Sequence, residues 1–555
     1  MLRVRWLGRV PYRDAHALQA SLHAHGRDDH VLLLEHPHVF TLGVRGDPAH
    51  ILVDPAMVGA EVVRVDRGGD VTYHGPGQLV VYPVLSVPMG PDAVPRHVHA
   101  VEEVAIEALA ALGLEAGRLP GYPGVWVDPQ GSSPRKIAAV GVRVSRGRSM
   151  HGLALNVDPD LEWFRRIVPC GITDKSVTSL RDQGFEPSMT DVRDAVVSAV
   201  VRRWAPDGAY ERQDVTSWAA PRPPASPRLA ADGSAGPDCG PPGGSHDSAV
   251  RVRLRRAGVD PDVAVPLHSR KPSWLRVNAR MGPEFQSLRR AMRSLDLVTV
   301  CEEAGCPNIF ECWADGTASF MINGERCTRA CGFCLVDTRH PMPLDQGEPA
   351  RVAEAVARLD LAHAVVTAVA RDDLPDGGSQ AFAATIAAIR SRCPATSVEV
   401  LIPDCKGDEA ALGTIFAARP DVLNHNVETV ARLQRAIRPS AGYARSLSVL
   451  ARAKSAGLTT KSGLVLGMGE HDEEVVGALA DLASVGVDIV TIGQYLRPTA
   501  AHVPVARWWT PDEFDALAGR ARRMGFAHVQ ASPLTRSSYH ARQASQAATE
   551  VVAAS

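Results

Sequence analysis

Six of the ten cysteines in this chain lie between positions 301 and 334, in two groups of three. The first group has C-x4-C-x5-C spacing and consists of Cys301, Cys306 and Cys312. The second group has C-x3-C-x2-C spacing and consists of Cys327, Cys331 and Cys334. Three thiolates on a short loop can bind three irons of a cubane cluster and leave the fourth iron open for a small chelating ligand. A structural zinc ion would instead require a fourth protein ligand. The spacing therefore favours iron–sulfur chemistry, with zinc knuckles or an electron-transfer ferredoxin as the alternatives.

A second pair of chemically capable residues lies earlier in the chain. Cys170 occurs in "VPCGITDKSV", and Lys136 occurs in "RKIAAVGVRV". A lysine close to a cysteine in the fold would lower the pKa of the thiol and activate it as a nucleophile. The pattern alone leaves open the alternative of a buried thiol and a surface lysine. The other cysteines, Cys239, Cys393 and Cys405, are expected to be ordinary thiols.

Composition excludes several classes of partner. The 555 residues carry a formal net charge of -2, which gives no electrostatic case for binding nucleic acid or an anionic membrane. No segment has the run of roughly 20 apolar residues needed for a membrane-spanning helix, and the N-terminus lacks the apolar stretch of a signal peptide. We expect a cytoplasmic protein, in which clustered cysteines serve as metal ligands or catalysts rather than as disulfides.

A Pro-, Gly- and Ser-rich stretch at 219–249 divides the chain, because it has too few large apolar residues to offset the entropy of ordering. We predict a first domain at 1–217, a flexible linker at 218–250 and a second domain at 251–555. The first domain mixes strand-like and helical segments irregularly and is predicted to be an α+β domain. The second alternates helix and strand regularly, which predicts a full or partial (β/α) barrel. Its strands end in polar residues expected to share one site, namely Asp404, Asn426, Glu428, Ser462, Gln494 and Ser532.

The second domain resembles two nested families. "CTRACGFC" resembles the signature of radical S-adenosylmethionine (SAM) enzymes, and "CEEAGCPNIFEC", "EVLIPDCKGD", "TKSGLVLGMGE" and "SPLTRSSYHA" resemble lipoyl synthases. The resemblance implies two 4Fe-4S clusters. One, on Cys327, Cys331 and Cys334, would bind SAM and cleave it reductively to a 5′-deoxyadenosyl radical. The other, auxiliary cluster, on Cys301, Cys306 and Cys312, would supply sulfur. The "RSSY" motif implies a fourth, serine ligand to the auxiliary cluster, Ser537 or Ser538, of which we favour Ser538. Ala370 departs from the family pattern, which has an acidic residue there.

The first domain resembles the lipoyl(octanoyl) transferases, whose fold is a mixed sheet like that of biotin and lipoate ligases. "RGGDVTYHGPGQ", "KIAAVGVR", "HGLALNV" and "PCGI" carry this resemblance. It implies that Cys170 is the nucleophile and Lys136 its activating lysine. The implied acyl-binding residues are Arg67, Gly68, Gly69, Asp70, Val71, Thr72, Tyr73, His74, Ala139, Val140, Gly141, Gly152, Leu153 and Ala154.

Together the two resemblances imply a bifunctional lipoylation enzyme. The first half would transfer an octanoyl group through a Cys170 thioester, and the second would insert two sulfur atoms into it. The implied partners are octanoyl–acyl carrier protein, the lipoyl domains of 2-oxoacid dehydrogenases, the H protein of glycine cleavage, and an electron donor such as ferredoxin or flavodoxin. The alternative is a lipoyl synthase fused to a degenerate, binding-only transferase-like module.

Overall fold

The computed structural model describes residues 1–168, 175–216, 245–276, 308–314 and 317–554, and positions 290, 292, 294, 295 and 297–299. Cys170, Cys239, Cys301 and Cys306 lie outside these residues.

The first half contains a large mixed sheet and a smaller one. Its strands are β1 (Leu2–Arg9), β2 (Asp29–Glu35), β3 (Val39–Leu42), β4 (Glu61–Arg64), β5 (Val71–His74), β6 (Gln78–Val84), β7 (Gly117–Leu119), β8 (Tyr122–Val127), β9 (Arg135–Ser145), β10 (Arg148–Asn156), β11 (Ser176–Val177) and β12 (Tyr210–Asp214). The large sheet has the order β12-β1-β2-β6-β10-β9-β8-β7, with β11 pairing to β9, and the small sheet has the order β4-β3-β5. Parallel pairs, such as β1 with β2, occur beside antiparallel pairs, such as β2 with β6. The α+β prediction is confirmed.

Both faces of the large sheet are covered by helices, α1 (Tyr12–His25) on one and α2 (Ala93–Ala111) with α3 (Met189–Trp204) on the other. Successive side chains of a strand point to opposite faces, so a central strand covered on both sides must be apolar throughout. On β2, Val31 packs in the core on the α2 and α3 side, and Leu32 packs in the core on the α1 side. The continuous apolar run of β2 is thus explained by cover on both faces of the sheet.

The second half is built on an eight-stranded sheet. Its strands are β13 (Val298–Thr299), β14 (Thr317–Ile322), β15 (His363–Ala368), β16 (Ser397–Leu401), β17 (Val422–Asn424), β18 (Thr460–Leu466), β19 (Ile489–Gln494) and β20 (His528–Ala531). They lie in sequence order, parallel from β14 to β20, and only β13 is antiparallel to its neighbour. Among the described strands the two edges, β13 and β20, do not pair, so the predicted barrel is a partial one.

Helices of the second half lie mostly between successive strands, as crossover connections require. They are α4 (Ser245–Arg256), α5 (Ile309–Ala314), α6 (Glu348–Arg358), α7 (Ser379–Arg392), α8 (Glu409–Ala417), α9 (Gln434–Ile437), α10 (Tyr443–Ser455), α11 (Asp472–Ser484), α12 (Pro511–Met524) and α13 (Ala541–Ala554). Helix α12 shows why the bounds fall where they do. Thr510 and Glu513 form a capping box at its start, and Gly525, with φ of 92°, ends it. In the described part of the chain, no helix has the length and apolar content needed to cross a bilayer.

The start of α4 lies inside the predicted linker at 218–250. Val250 is 1% exposed and Leu254 is fully buried, and both pack in a core that includes residues of α9. Four-residue spacing places these two side chains on one face of the helix, which explains why it docks although its surroundings are polar. The domain boundaries themselves stay a prediction.

Candidate active sites

The loop that carries Cys327, Cys331 and Cys334 follows β14 and is held at both ends by backbone hydrogen bonds. Cys327 donates its N–H to Asp337 O (2.8 Å), and Gly332 donates to Ile437 O (2.8 Å). The Cys327 sulfur accepts from the backbone N–H groups of Arg329 (3.4 Å) and Ala370 (3.3 Å). Hydrogen bonds to a cysteine sulfur stabilise its thiolate and tune a bound cluster. These hydrogen bonds therefore help to define the shape of the loop.

Arg329, between the first two cysteines of this loop, forms a buried ion cluster that sequence reasoning missed. Its guanidinium donates two bonds to Asp372 (2.7 and 2.8 Å) and one to Asp404 (2.6 Å), and Asp404 is fully buried. Burial disfavours the charge, but the two carboxylates outweigh it and raise the pKa of Arg329. The available signal was the arginine inside the cysteine motif, but its partners lie 43 and 75 residues away.

Ala370 occupies the position where the resemblance suggested an acidic side chain. Its carbonyl accepts from both the backbone N–H (3.0 Å) and the hydroxyl (2.9 Å) of Thr328. The backbone thus supplies the polar contact to the cysteine loop at this position.

A cavity of about 440 Å³ opens on the three cysteines and runs along the inner face of the sheet. Apolar side chains such as Met321, Val365 and Leu401 form part of its wall. Polar wall residues include Asn426, Glu428 and Gln494, three of the strand-end residues predicted to share a site. Its volume is within the range of small-molecule sites, which are mostly apolar with a few placed polar groups.

The donor set of the loop fits a 4Fe-4S cluster. Burial raises the pKa of Cys331, and raises that of Cys334 to about 12, with smaller contributions from the neighbouring cysteines. The three thiols are therefore close enough to repel one another as thiolates, and a cationic iron centre would relieve both burial and repulsion. All three also line the cavity, where the open iron could meet SAM.

The third cysteine of the other group, Cys312, lies on α5 and is buried. Two contacts attach this helix region to the "SPLTRSSYHA" segment: Asn308 donates to Leu534 O (2.7 Å), and Tyr539 donates to Glu311 (3.1 Å). The structure thus brings Cys312 and the predicted serine ligand into one region, although Cys301 and Cys306 lie outside the described residues.

The two candidate serines differ in their surroundings. Ser537 Oγ accepts hydrogen bonds from the side-chain amides of Asn424 (3.0 Å) and Asn426 (3.4 Å). Both serines are half-buried and line the cavity, but the hydroxyl of Ser538 has no hydrogen-bond partner among the described residues. This difference favours Ser538 over Ser537 as a ligand.

In the first half, the predicted acyl-binding residues of β9 and β10 lie directly opposite each other. Gly141 pairs with Gly152, Val140 with Leu153, and Ala139 with Ala154. A Cβ on Gly152 would lie 2.1 Å from Val81 O, and one on Gly141 would lie 3.0 Å from Gly68 O. Close packing of the backbone therefore requires glycine at position 152, and a side chain at position 141 would have to push its neighbours aside.

The predicted stretch 67–74 crosses this strand pair. Gly68 donates its N–H to Val142 O (3.1 Å), and Arg67 donates to Thr41 O (2.8 Å). Gly69 has φ of 95°, and Asp70 is hydrogen-bonded by His50 and by Asp47 N. Val71, Thr72, Tyr73 and His74 form the buried strand β5, in which burial holds the pKa of His74 well below its usual value.

Lys136 is the second residue of β9, and its ammonium lies 4.8 Å from the centre of the Trp126 ring. Its carbonyl accepts from Thr178 N (2.9 Å), and it pairs with Val177 on β11. Cys170 itself is outside the described residues. On either side of residues 169–174, Val168 donates to His50 O (2.8 Å), and Ser176 pairs with Arg135. Ser176 and Val177, six and seven residues after Cys170, thus lie beside Arg135 and Lys136.

A cluster of His16, Asp66 and His151 adjoins the acyl-binding residues and was missed by sequence reasoning. Their ligand atoms lie within 4.8 Å of one another, and His151 Nε2 is 2.8 Å from Asp66 Oδ1. The hydrogen bond with His151 is the main cause of the lowered pKa of Asp66, and Arg143 pairs with the same carboxylate. The only signal in the sequence was that Asp66 and His151 directly precede Arg67 and Gly152, two of the predicted acyl-binding residues.

Comparison with models of protein families gives matches to both halves. Residues 11–201 match the lipoyl protein ligase A/B catalytic domain. Residues 262–306 match the N-terminal domain of lipoyl synthase of the radical SAM family, and residues 321–482 match the radical SAM superfamily. The radical SAM match implies SAM and 4Fe-4S chemistry, and the cysteine loop described above fits that chemistry.

Curated relatives match the second half. A lipoyl synthase of Mycobacterium ulcerans is 57% identical over 272 residues, covering 49% of this chain and 84% of the relative. One of Mycobacterium avium is 55% identical over 282 residues, covering 50% of this chain and 92% of the relative. A solved structure of a bipartite lipoate protein ligase from Thermoplasma acidophilum is 19% identical with a TM-score of 0.33, covering 39% of this chain and 88% of that one. The chain therefore belongs to the lipoyl synthase family through its second half, and its first half is a lipoate ligase/transferase-like catalytic domain.

Proposed function

We propose that this chain performs both steps of protein lipoylation. The first half would take an octanoyl group from octanoyl–acyl carrier protein and attach it to a lysine of a lipoyl domain. The second half would insert sulfur at two saturated carbons of that group while it stays attached. The observation that carries the proposal is the cavity of about 440 Å³, because it is lined by Cys327, Cys331 and Cys334 and also by residues 535–538.

Two sets of side chains would hold the iron in the second half. Cys327, Cys331 and Cys334 would bind one 4Fe-4S cluster, and Cys301, Cys306, Cys312 and Ser538 would bind an auxiliary cluster that is the source of sulfur. When bound, the first cluster and SAM supply the one-electron chemistry needed for C–H groups that are too weakly acidic for general base catalysis. An alkoxide ligand such as Ser538 binds iron more weakly than a thiolate, which suits a cluster that gives up sulfur.

The protein's own contribution in the second half is to place the substrate and exclude water. The apolar wall formed by Met321, Val365 and Leu401 fits an alkyl chain, which gains roughly 0.8 kcal/mol for each buried CH₂. The polar residues Asn426, Glu428 and Arg438 lie on the same cavity. They would orient the polar groups of a small cofactor, as convergent polar side chains do in other binding sites.

In the first half the proposed step is acyl exchange. The Cys170 thiolate attacks the carbonyl carbon of the octanoyl thioester, and the carrier-protein thiolate leaves and takes a proton. The amine of the target lysine then attacks the new thioester, loses a proton and displaces the Cys170 thiolate. Lys136 would favour the thiolate and transfer protons, since its ammonium is held on the Trp126 ring at the start of β9.

The glycines of the first half support this proposal. Gly141 and Gly152 let two strands and residues at the start of the stretch 67–74 approach one another closely, and a linear acyl chain would lie against this backbone. The partners follow from the chemistry: octanoyl–acyl carrier protein, the lipoyl domains of 2-oxoacid dehydrogenases, the H protein of glycine cleavage, and ferredoxin or flavodoxin as the electron donor.

In the decisive experiment, anaerobically reconstituted protein is incubated with octanoyl–acyl carrier protein, apo lipoyl domain, SAM and reductant. The mass of the lipoyl domain is then measured by mass spectrometry. We expect an octanoyl adduct without SAM and a lipoyl adduct with it. The variant Cys170→Ser should lose octanoyl transfer and still convert a lipoyl domain that is already octanoylated.

The control arms separate the alternatives. A binding-only first half predicts no octanoyl adduct in the wild-type protein, although the pre-octanoylated domain is converted. An ATP-dependent ligase predicts an adduct from free octanoate and ATP but none from octanoyl–acyl carrier protein. Loss of both activities in folded Cys170→Ser would contradict independent sites.

A further inference from the structure

Helix α1 of the first half lies between the two halves of the molecule. On one side its Leu18 and Leu22 pack in the same apolar core as Leu32 of β2 and Leu447 of α10. Toward the barrel, Ser21 donates its hydroxyl hydrogen to Val485 O (2.9 Å). The helix is therefore packed against the large sheet of the first half and the outer helices of the second.

The barrel holds the first turn of α1 through a buried carboxylate. Asp14 is 2% exposed, and it accepts hydrogen bonds from Arg445 (3.3 Å) and Arg452 (3.0 Å). The hydroxyl of Ser448 donates a further bond to it (3.1 Å). Arg452 also donates to Gly407 O (2.9 Å), so the same guanidinium fixes α1 and a loop of the barrel. A buried carboxylate with three partners resists displacement far more than an exposed ion pair does.

The opposite side of α1 holds His151. The side chain of Gln19 accepts the backbone N–H of His151 (2.8 Å), and the His16 ring stacks on the His151 ring with centroids 5.7 Å apart. His151 is 1% exposed and has φ of 60°, a left-handed conformation that is unfavourable for a residue with a Cβ. Such a conformation persists only when the surroundings impose it, and here α1 supplies two of the contacts that do so.

His151 stands next to the predicted acyl-binding residues. It directly precedes Gly152, which lies opposite Gly141, and its Nε2 is bonded to Asp66, the residue before Arg67. A shift of His151 would therefore move both strands that form the predicted channel.

We propose that Asp14 is a positioning residue for the acyl site of the first half. The arginines of the barrel hold Asp14, and α1 in turn holds His151 through His16 and Gln19. The lipoyl synthase half is thus part of the scaffold of the transferase site. This inference rests on the proposed octanoyl transfer for its functional readout, but its structural readout is independent of it.

The test compares the full-length wild-type protein with Asp14→Asn. Single-turnover octanoyl transfer is measured at a temperature well below the melting temperature of the variant, with saturating octanoyl–acyl carrier protein. We expect a rate constant reduced by about 10-fold to 100-fold, because a small displacement in a reacting site has effects of this order. The matched control is Arg13→Gln on the same helix turn, since Arg13 makes an exposed ion pair with Glu409 across the same interface. Its rate constant should stay within about 2-fold of wild type.

Hydrogen–deuterium exchange of peptides covering residues 148–156 provides the second readout. Exchange there should increase in Asp14→Asn and stay unchanged in Arg13→Gln. A folded Asp14→Asn variant with a wild-type rate constant and wild-type exchange overturns the proposal, even if its melting temperature falls, because Asp14 would then serve stability alone. If Asp14→Asn does not fold, Ser448→Ala removes one bond to Asp14 and is judged by the same two measurements. If the wild-type protein transfers no octanoyl group, the proposed function fails, and the exchange data alone decide the positioning role.

Discussion

Lys461→Met should destabilise the second half strongly, because Lys461 neutralises a carboxylate in the interior. Lys461 on β18 and Glu399 on β16 are both fully buried, and the ammonium lies 3.0 Å from each carboxylate oxygen. Asn424, on the strand between them, donates to Glu399 (2.9 Å) and also to Ser537 (3.0 Å). Removing one member of a buried pair costs about 3–5 kcal/mol, since the remaining charge keeps its desolvation penalty. At about 2–4 °C for each kcal/mol, the melting temperature should fall by about 6–20 °C.

The pH dependence of this loss identifies its cause. Burial alone would raise the pKa of Glu399, but Lys461 and His363 hold it below its usual value. In the wild-type protein Glu399 therefore stabilises the fold above the unfolded pKa of about 4.3, and this contribution disappears as pH falls. Without Lys461, burial dominates and the folded pKa rises above the unfolded one, so the variant loses stability as pH rises. The difference in melting temperature between the two proteins should thus be largest at neutral pH and shrink toward pH 5.

Differential scanning fluorimetry of the metal-free proteins across this pH range measures the effect. Arg358→Met is the control, because Arg358 is 52% exposed and its ion pair with Glu354 should contribute no more than about 0.5 kcal/mol. The double variant Lys461→Met, Glu399→Gln should recover most of the loss. A pH-independent loss, or no recovery in the double variant, would refute the charge argument and leave packing as the cause.

Three further predictions concern the candidate sites. Lys136→Ala should slow acylation of Cys170 and shift its pH dependence upward, measured by thiol alkylation against pH; an unchanged profile would exclude Lys136 as the activating cation. Arg329→Gln should leave Asp404 buried without its cation, lowering both the melting temperature of the metal-free protein and its iron uptake on reconstitution; normal values for both would contradict a role in shaping the loop. Replacement of Cys327, Cys331 and Cys334 by Ala should stop SAM cleavage. Replacement of Cys301, Cys306 and Cys312 by Ala should leave SAM cleavage running without product. Iron content should fall by roughly half in each variant.

The features predicted correctly from the sequence depend on local patterns. Regular helix–strand alternation predicts the parallel strands β14 to β20, because only a crossover helix joins two neighbouring parallel strands in this way. The polar residues at strand ends predicted a shared site, and Asn426, Glu428 and Gln494 do line one cavity. Asp404 instead pairs with Arg329, since the same strand edge also has to hold the cysteine loop.

Features that depend on distant contacts could not be predicted from the sequence. Nothing near Asp14 indicates partners more than 430 residues away, and an aspartate in the first turn of a helix is ordinary. The sequence predicts His151 to be an ordinary strand residue. Its left-handed backbone could not be predicted, because contacts with α1 and Asp66 impose it. The helix that begins at Ser245 was hidden by the polar composition around it; among its residues 249–256, Val250 and Leu254 meet the core.

The shared core between the halves limits how the two proposed reactions can be coupled. Arg5 on β1 is 2% exposed and donates to both oxygens of Asp481 on α11 (2.9 Å), which also accepts from Tyr443 (2.9 Å). A large apolar interface with buried ion pairs does not permit the relative domain motions that a flexible linker alone would allow. The shared core therefore opposes movement of one site relative to the other. In the proposed reaction sequence, the octanoylated lysine with its lipoyl domain would carry the acyl group from the acyl site of the first half to the cavity of the second.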